Sequence, residues 1–365
     1  MKKFFLGLVV LGLVLACSSS SSSDDGPTGV GDTYNREDLL INVADNIVIP
    51  AFQDLDSKLT LLKSTKDAFT ADPTQNNLVG LRDSWLEAYK VWQYVEMFNI
   101  GKAEEILYGF QMNVYPTNTV DIENNISTGT YDLASVNNND AVGFPALDYM
   151  LYGVGVDDSS ILTKYNDSKY IDYLSDLVDQ MSAITKTVLN DWTGSYRTTF
   201  VSQTGNTATS ALNKLVNDYV FYYEKGLRAN KIGIPAGNFS NSPLADKVEG
   251  LYSKIYSKEL TLTALDAVQD MFNGKSYSNS SSGGSFKAYL TNLNRNDLVT
   301  LINSRFNDAR QKIEALNDDY GAQINSDNTK MTQAYDALQL VVVSLKVDML
   351  QAFNINVDYV DADGD

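Results

Sequence analysis

Chemistry in this chain has to run on oxygen and amine groups, because its 365 residues include no histidine and a single cysteine, Cys17. Losing imidazole removes the commonest general base, the Ser-His-Asp arrangement and the usual zinc ligand. Hydrolytic or metal chemistry then falls to carboxylates, tyrosine, lysine or serine, and 46 acidic residues and 22 tyrosines supply the oxygens. A G-x-S-x-G elbow, a phosphate loop and a dinucleotide fingerprint are all missing from the sequence. The run Asp358, Asp361, Asp363 and Asp365 invites a calcium-loop reading, but Tyr359 stands where the loop pattern opens with aspartate. A solvated acidic tail is the expectation there.

Cys17 is the residue whose neighbours most clearly specify a reaction. Lys2 and Lys3 precede an apolar run from Phe4 to Leu15, and Leu13-Val14-Leu15-Ala16-Cys17 reads as a lipobox. The run is too short to span a bilayer as a helix, so residues 1–16 read as a cleaved signal and Cys17 as the lipidated new N-terminus. Residues 17–33, with Ser18 to Ser23 and then Asp24-Asp25-Gly26-Pro27, cannot bury enough surface to fold and read as a flexible tether. The expectation is an exported protein whose partner is the membrane, through its anchor. Ser18 in place of aspartate after Cys17 leans towards the outer membrane, on its periplasmic side or at the cell surface. A net charge of −18 excludes nucleic acid as a partner and argues against electrostatic adhesion to anionic lipid.

The elements that must position any site are helices. Leu81, Trp85, Ala88, Trp92 and Val95 recur at steps of three and four, as do Tyr170, Leu174, Leu177, Met181, Ile184 and Val188. Met331, Tyr335, Leu338, Val342, Leu345 and Met349 form a third such seam. Pro50 predicts a kink in the run over 35–69, Asp72-Pro73 an N-cap and N1 proline, and Pro243 the start of a helix through Ile255. No comparable alternating pattern argues for a sheet. The fold class is all-α, two packed antiparallel helical bundles over residues 34–200 and 201–365. Residues 100–145 are richer in Gly, Pro and Asn than a bundle turn needs, and Gly274 to Gly284 reads as a mobile loop.

Several segments in order resemble the imelysin family of helical envelope proteins. They are Leu81 to Tyr89 with Trp92 and Glu96, Val114-Tyr115-Pro116-Thr117-Asn118 with Asp121-Ile122-Glu123, Gly143 to Gly153, Lys231 to Gly237, and Leu345 to Leu350. The resemblance spans residues 35–365 and implies two packed helical bundles with a motif pocket near their junction. It also implies a peptidase-like or iron-uptake role, with iron- or haem-uptake components as partners. The family motif is G-x-H-x-x-E, whose histidine and glutamate would bind a metal or activate water. Here Gly143 matches, but Pro145 stands at the histidine and Asp148 at the glutamate. Proline offers no ligand atom, so the resemblance implies a member that has lost the motif's chemistry.

Asp148 and Glu96, with Asp121 or Glu123, could form an oxygen-ligand site for iron or a hard divalent cation. Trp85, Tyr89 and Tyr149 would complete the expected pocket. The competing readings are a first-turn Asp148 favoured by the helix dipole, a solvated Glu96, and Trp85 and Trp92 as bundle core. The functional expectation is a ligand- or metal-binding envelope lipoprotein, in iron or haem uptake, leaning away from an active peptidase. A divergent metallopeptidase and a scaffold with a collapsed pocket are the alternatives.

Overall fold

The computed structural model describes residues 32–359. The lipobox, Cys17, nearly all of the tether and the tail from Val360 lie outside the described residues. Among the described residues all regular structure is helical, apart from one isolated bridge between Lys275 and Ser282. The all-α expectation holds. No described helix is long and apolar enough to cross a membrane.

The long helices follow the predicted seams. They are α1 (Ile49–Ala71), α2 (Gln75–Val95) and, past the short helix α3 (Gly143–Asp148), α4 (Ser168–Asp191). Next come α5 (Ala211–Phe221), which continues as the π-helical α6 (Tyr222–Gly233), then α7 (Ser257–Asn273), α8 (Asn296–Glu314) and α9 (Tyr320–Val342). Helix α1 packs on α2 and α4, while α6, α7, α8 and α9 pack on one another. Helix α7 also packs on α2, and the described residues from Tyr34 onward close into one compact unit. Every seam residue of α2 is buried, from Leu81 to Val95. Each such large side chain withdrawn from water contributes about 1.5–3 kcal/mol, which is what holds helices of these lengths in place.

Local chemistry explains the departures from the sequence reading. Pro50 sits in the first turn of α1, behind a π-helical turn over Val43–Val48. A proline cannot bond the carbonyl four residues back. That carbonyl, Asn46 O, instead accepts the Tyr277 N–H at 2.8 Å. The cap of α2 is Thr74, whose hydroxyl accepts from Asn77 N, and Asp72 ends α1. The predicted mobile loop is latched: Asn42 Nδ2 donates to Gly274 O at 3.0 Å and Gly284 O at 2.9 Å. Residues 100–145 hold short helices, among them Tyr108–Met112 and Thr119–Thr128. The helix expected from Pro243 to Ile255 does not form beyond one short turn, Ala245–Lys247. Gly250 and Lys254 take positive φ there, which a helix does not tolerate, and the backbone between them serves a buried carboxylate described below.

Candidate functional site

The Gly143 backbone has φ +76°, and a Cβ there would meet Met112 O at 2.1 Å. Only glycine fits this close approach, which seats α3 against the segment ending at Met112. Pro145 lies buried in the first turn of α3, where its missing N–H breaks no helical bond. Asp148 ends the helix and is 2% exposed. Its Oδ2 accepts Tyr252 N–H at 2.8 Å and its Oδ1 accepts Ser253 N–H at 3.0 Å. Burial pushes its carboxyl up to about 6, against the pull of those hydrogen bonds. Both oxygens clamp the loop before α7. The expected metal ligand is a backbone clasp.

Glu96 stands at the end of α2 and does face a cavity. Its Oε1 accepts Asn113 Nδ2 at 2.8 Å and its Oε2 accepts the Tyr222 hydroxyl at 3.1 Å. The same Asn113 Nδ2 reaches Glu249 Oε1 at 3.1 Å, while Tyr89 donates to Asn113 Oδ1 at 2.6 Å. Gln93 Nε2 adds a long bond to Glu249 Oε1 at 3.4 Å, and Lys231 Nζ lies 2.5 Å from Glu249 Oε2. Two carboxylates therefore share one amide, with one ammonium to offset them. Burial raises the Glu96 pKa; the Lys231 charge opposes this and the Glu249 charge adds to it. Burial, then the charges of Glu96 and Glu249, holds the Tyr222 hydroxyl protonated, so it remains a donor.

Above this polar floor lies a cavity of about 320 Å³ between the end of α2, the segment through Tyr115, and the start of α6. Trp92, Tyr108, Phe110, Tyr115, Phe221 and Tyr222 contribute its aromatic walls. Asp218 and Lys225 also line it. Burial pushes the Asp218 carboxyl up to about 8, helped by the charges of Glu104 and Asp358 and opposed by Lys214.

The sequence over residues 48–346 matches the Imelysin family. The chain belongs to the imelysin family. Its fold is shared by two solved structures, each 18% identical to it. One, from Parabacteroides distasonis, is described as an iron-regulated protein A precursor; the match has a TM-score of 0.74 and covers 87% of this chain and 95% of that one. The other, an imelysin-like protein from Psychrobacter arcticum, aligns with a TM-score of 0.71 over 89% of this chain and 97% of that one. No curated protein matches the sequence.

In this chain the expected pocket residues separate into different places. Tyr89 and Glu96 join the polar floor. Trp85 is core, and its indole N–H donates to Phe144 O at 3.2 Å. Asp121 accepts Asn118 Nδ2 at 2.7 Å in the first turn of the Thr119–Thr128 helix. Tyr149 donates to Glu123 at 2.6 Å, as does Tyr170, beside a separate surface cleft. Among the described residues no group of three or more acidic side chains is placed to hold a metal ion. The donor set expected for iron or a hard divalent cation does not fit. Glu249 and Lys231 escaped sequence reasoning because each sits alone in its segment, and only the tertiary fold pairs them. Lys231 does open one of the resembling segments, and that was the available signal.

Proposed function

We propose that this imelysin-family protein binds a small organic ligand at the cell envelope, in the cavity over Glu96, Asn113 and Tyr222. The observation that carries the reading is the polar floor itself: Glu96, Asn113 and Glu249 from separate segments converge beneath an aromatic-walled cavity of about 320 Å³. A cavity at the small end of ligand pockets suits a small molecule better than a macrocycle the size of haem. The scattered carboxylates favour an organic ligand over a bare metal ion. The lipobox at Cys17 supports anchoring to the outer membrane. A role in iron acquisition rests on the family resemblance, and one structural relative is described as iron-regulated. Peptidase activity is not part of the proposal, because the chain has no imidazole and Asp148 is committed to backbone bonds.

Native mass spectrometry of the lipid-free chain, incubated with a bacterial metabolite extract, tests the reading. A small-molecule adduct is expected, and Asn99→Trp at the exposed rim of the cavity should abolish it. An adduct that survives this block, or steady hydrolysis of unfolded casein that Glu96→Gln removes, would overturn it.

A further inference from the structure

The polar floor beneath the cavity is electrically unbalanced. Glu249 and Lys231 are each 1% exposed and pair with each other, whereas Glu96 shares its amide donor with Glu249 and has no ammonium of its own at hydrogen-bond distance. Each carboxylate oxygen can accept about two hydrogen bonds. Glu96 Oε1 accepts from Asn113 and Oε2 from Tyr222, so acceptor capacity remains on the cavity side.

The walls add a second, independent signal. Trp92, Tyr108, Tyr115 and Tyr222 line the same cavity as that carboxylate, and Trp92 and Tyr108 hold each other edge to face at 5.2 Å. Aromatic faces attract cations through their quadrupole, most strongly when the cation is shielded from water. The Trp92 indole N–H is itself buried, and it lies close enough to the Glu96 carboxylate to favour the ionised form. Lys225 lines the same cavity but forms no ion pair with Glu96.

Resting on the ligand-binding reading above, we infer that the cavity recognises an organic ammonium ion, whose charged head meets Glu96 among the rings of Trp92, Tyr115 and Tyr222. Neutral molecules would gain the rings but leave the floor uncompensated. Anions would meet the Glu96 carboxylate head on.

Isothermal titration of the lipid-free chain with matched probes tests this. The probes are tyramine, its neutral counterpart 4-(2-hydroxyethyl)phenol, and the anion 3-(4-hydroxyphenyl)propionate. Tyramine should bind at least tenfold more tightly than the neutral probe. Glu96→Gln should erase that preference, and Trp92→Phe, which thins the aromatic wall, should weaken tyramine and phenethylammonium alike. Circular dichroism melting of both variants separates lost binding from lost folding, and Tyr222→Phe provides a milder change at the same carboxylate. Equal binding of all probes, indifferent to Glu96→Gln, overturns the ammonium assignment and leaves the ligand pocket standing. Tighter binding of the anion does the same. Absence of binding by every probe overturns the ammonium assignment, and only the additional absence of any metabolite adduct removes the pocket reading with it.

Discussion

Lys231 Nζ and Glu249 Oε2 meet at 2.5 Å with their side chains 1% and 2% exposed, joining α6 to the loop that precedes α7. Removing one partner strands the other as a buried charge, which costs about 3–5 kcal/mol. Lys231→Met should therefore lower the urea midpoint sharply, and the double change Lys231→Met with Glu249→Leu should recover much of the loss. A double variant no better than the single one would mean that Glu249 matters chiefly through Asn113 and Gln93.

Glu96→Gln should leave the ligand-free protein at least as stable as the parent. Burial and the Glu249 charge both work against an ionised Glu96, so the neutral side chain relieves a repulsion. Binding of the natural ligand should fall in the same variant, the trade expected where a site holds strain for function. Differential scanning calorimetry reads the first half. A melting temperature several degrees lower than the parent's contradicts it.

Asp148 makes a pH-dependent prediction. Its folded carboxyl is pushed up to about 6 from an ordinary value of 3.8, so between those values the native state holds a proton that the unfolded state has lost. The group's contribution to stability therefore declines as pH rises from about 4 to about 6. Asp148→Asn should remove that decline, while weakening the clasp on Tyr252 N and Ser253 N by about 1–3 kcal/mol, since an amide presents only one acceptor oxygen. Urea titrations of both proteins at pH 4.5 and 6.5 compare the slopes; parallel behaviour would refute the assignment.

Gly143→Ala should be among the most damaging single-methyl changes in the chain. It asks a side chain to occupy positive φ and to sit 2.1 Å from Met112 O. Left-handed strain alone costs about 1–3 kcal/mol, and the backbone overlap adds to it. The readout is thermal unfolding; a loss below about 1 kcal/mol would show that α3 can shift away from Met112.

The helices were legible in the sequence wherever one face had to be buried. Trp85, Trp92 and Leu174 declare their seams because a period near 3.6 has few other causes, and each is buried. The same logic misread Val248, Tyr252 and Ile255 as a helix, although their backbone is recruited by Asp148, more than a hundred residues away. The candidate site was legible only in Glu96 and Tyr89. Its other carboxylate, Glu249, sits in a loop with no pattern of its own, and a buried ion pair leaves no periodic trace. Asp148 looked like a ligand because a lone carboxylate and a clasp are identical in one dimension.

The latch around Asn42 and Asn46 has a consequence for the order in which the molecule assembles. Tyr34 bonds Ser285, Arg36 bonds Tyr289, Asn42 bonds Gly274 and Gly284, and Asn46 O takes the Tyr277 N–H. Contacts spanning such distances along the chain are entropically slow to close. A polypeptide delivered N-terminus first thus keeps its opening segment unfinished until Tyr289 has emerged. The segment from Tyr34 to Asn46 arrives early yet is among the last to be locked, so the lead-in to the first long helix works as the final clasp on the fold.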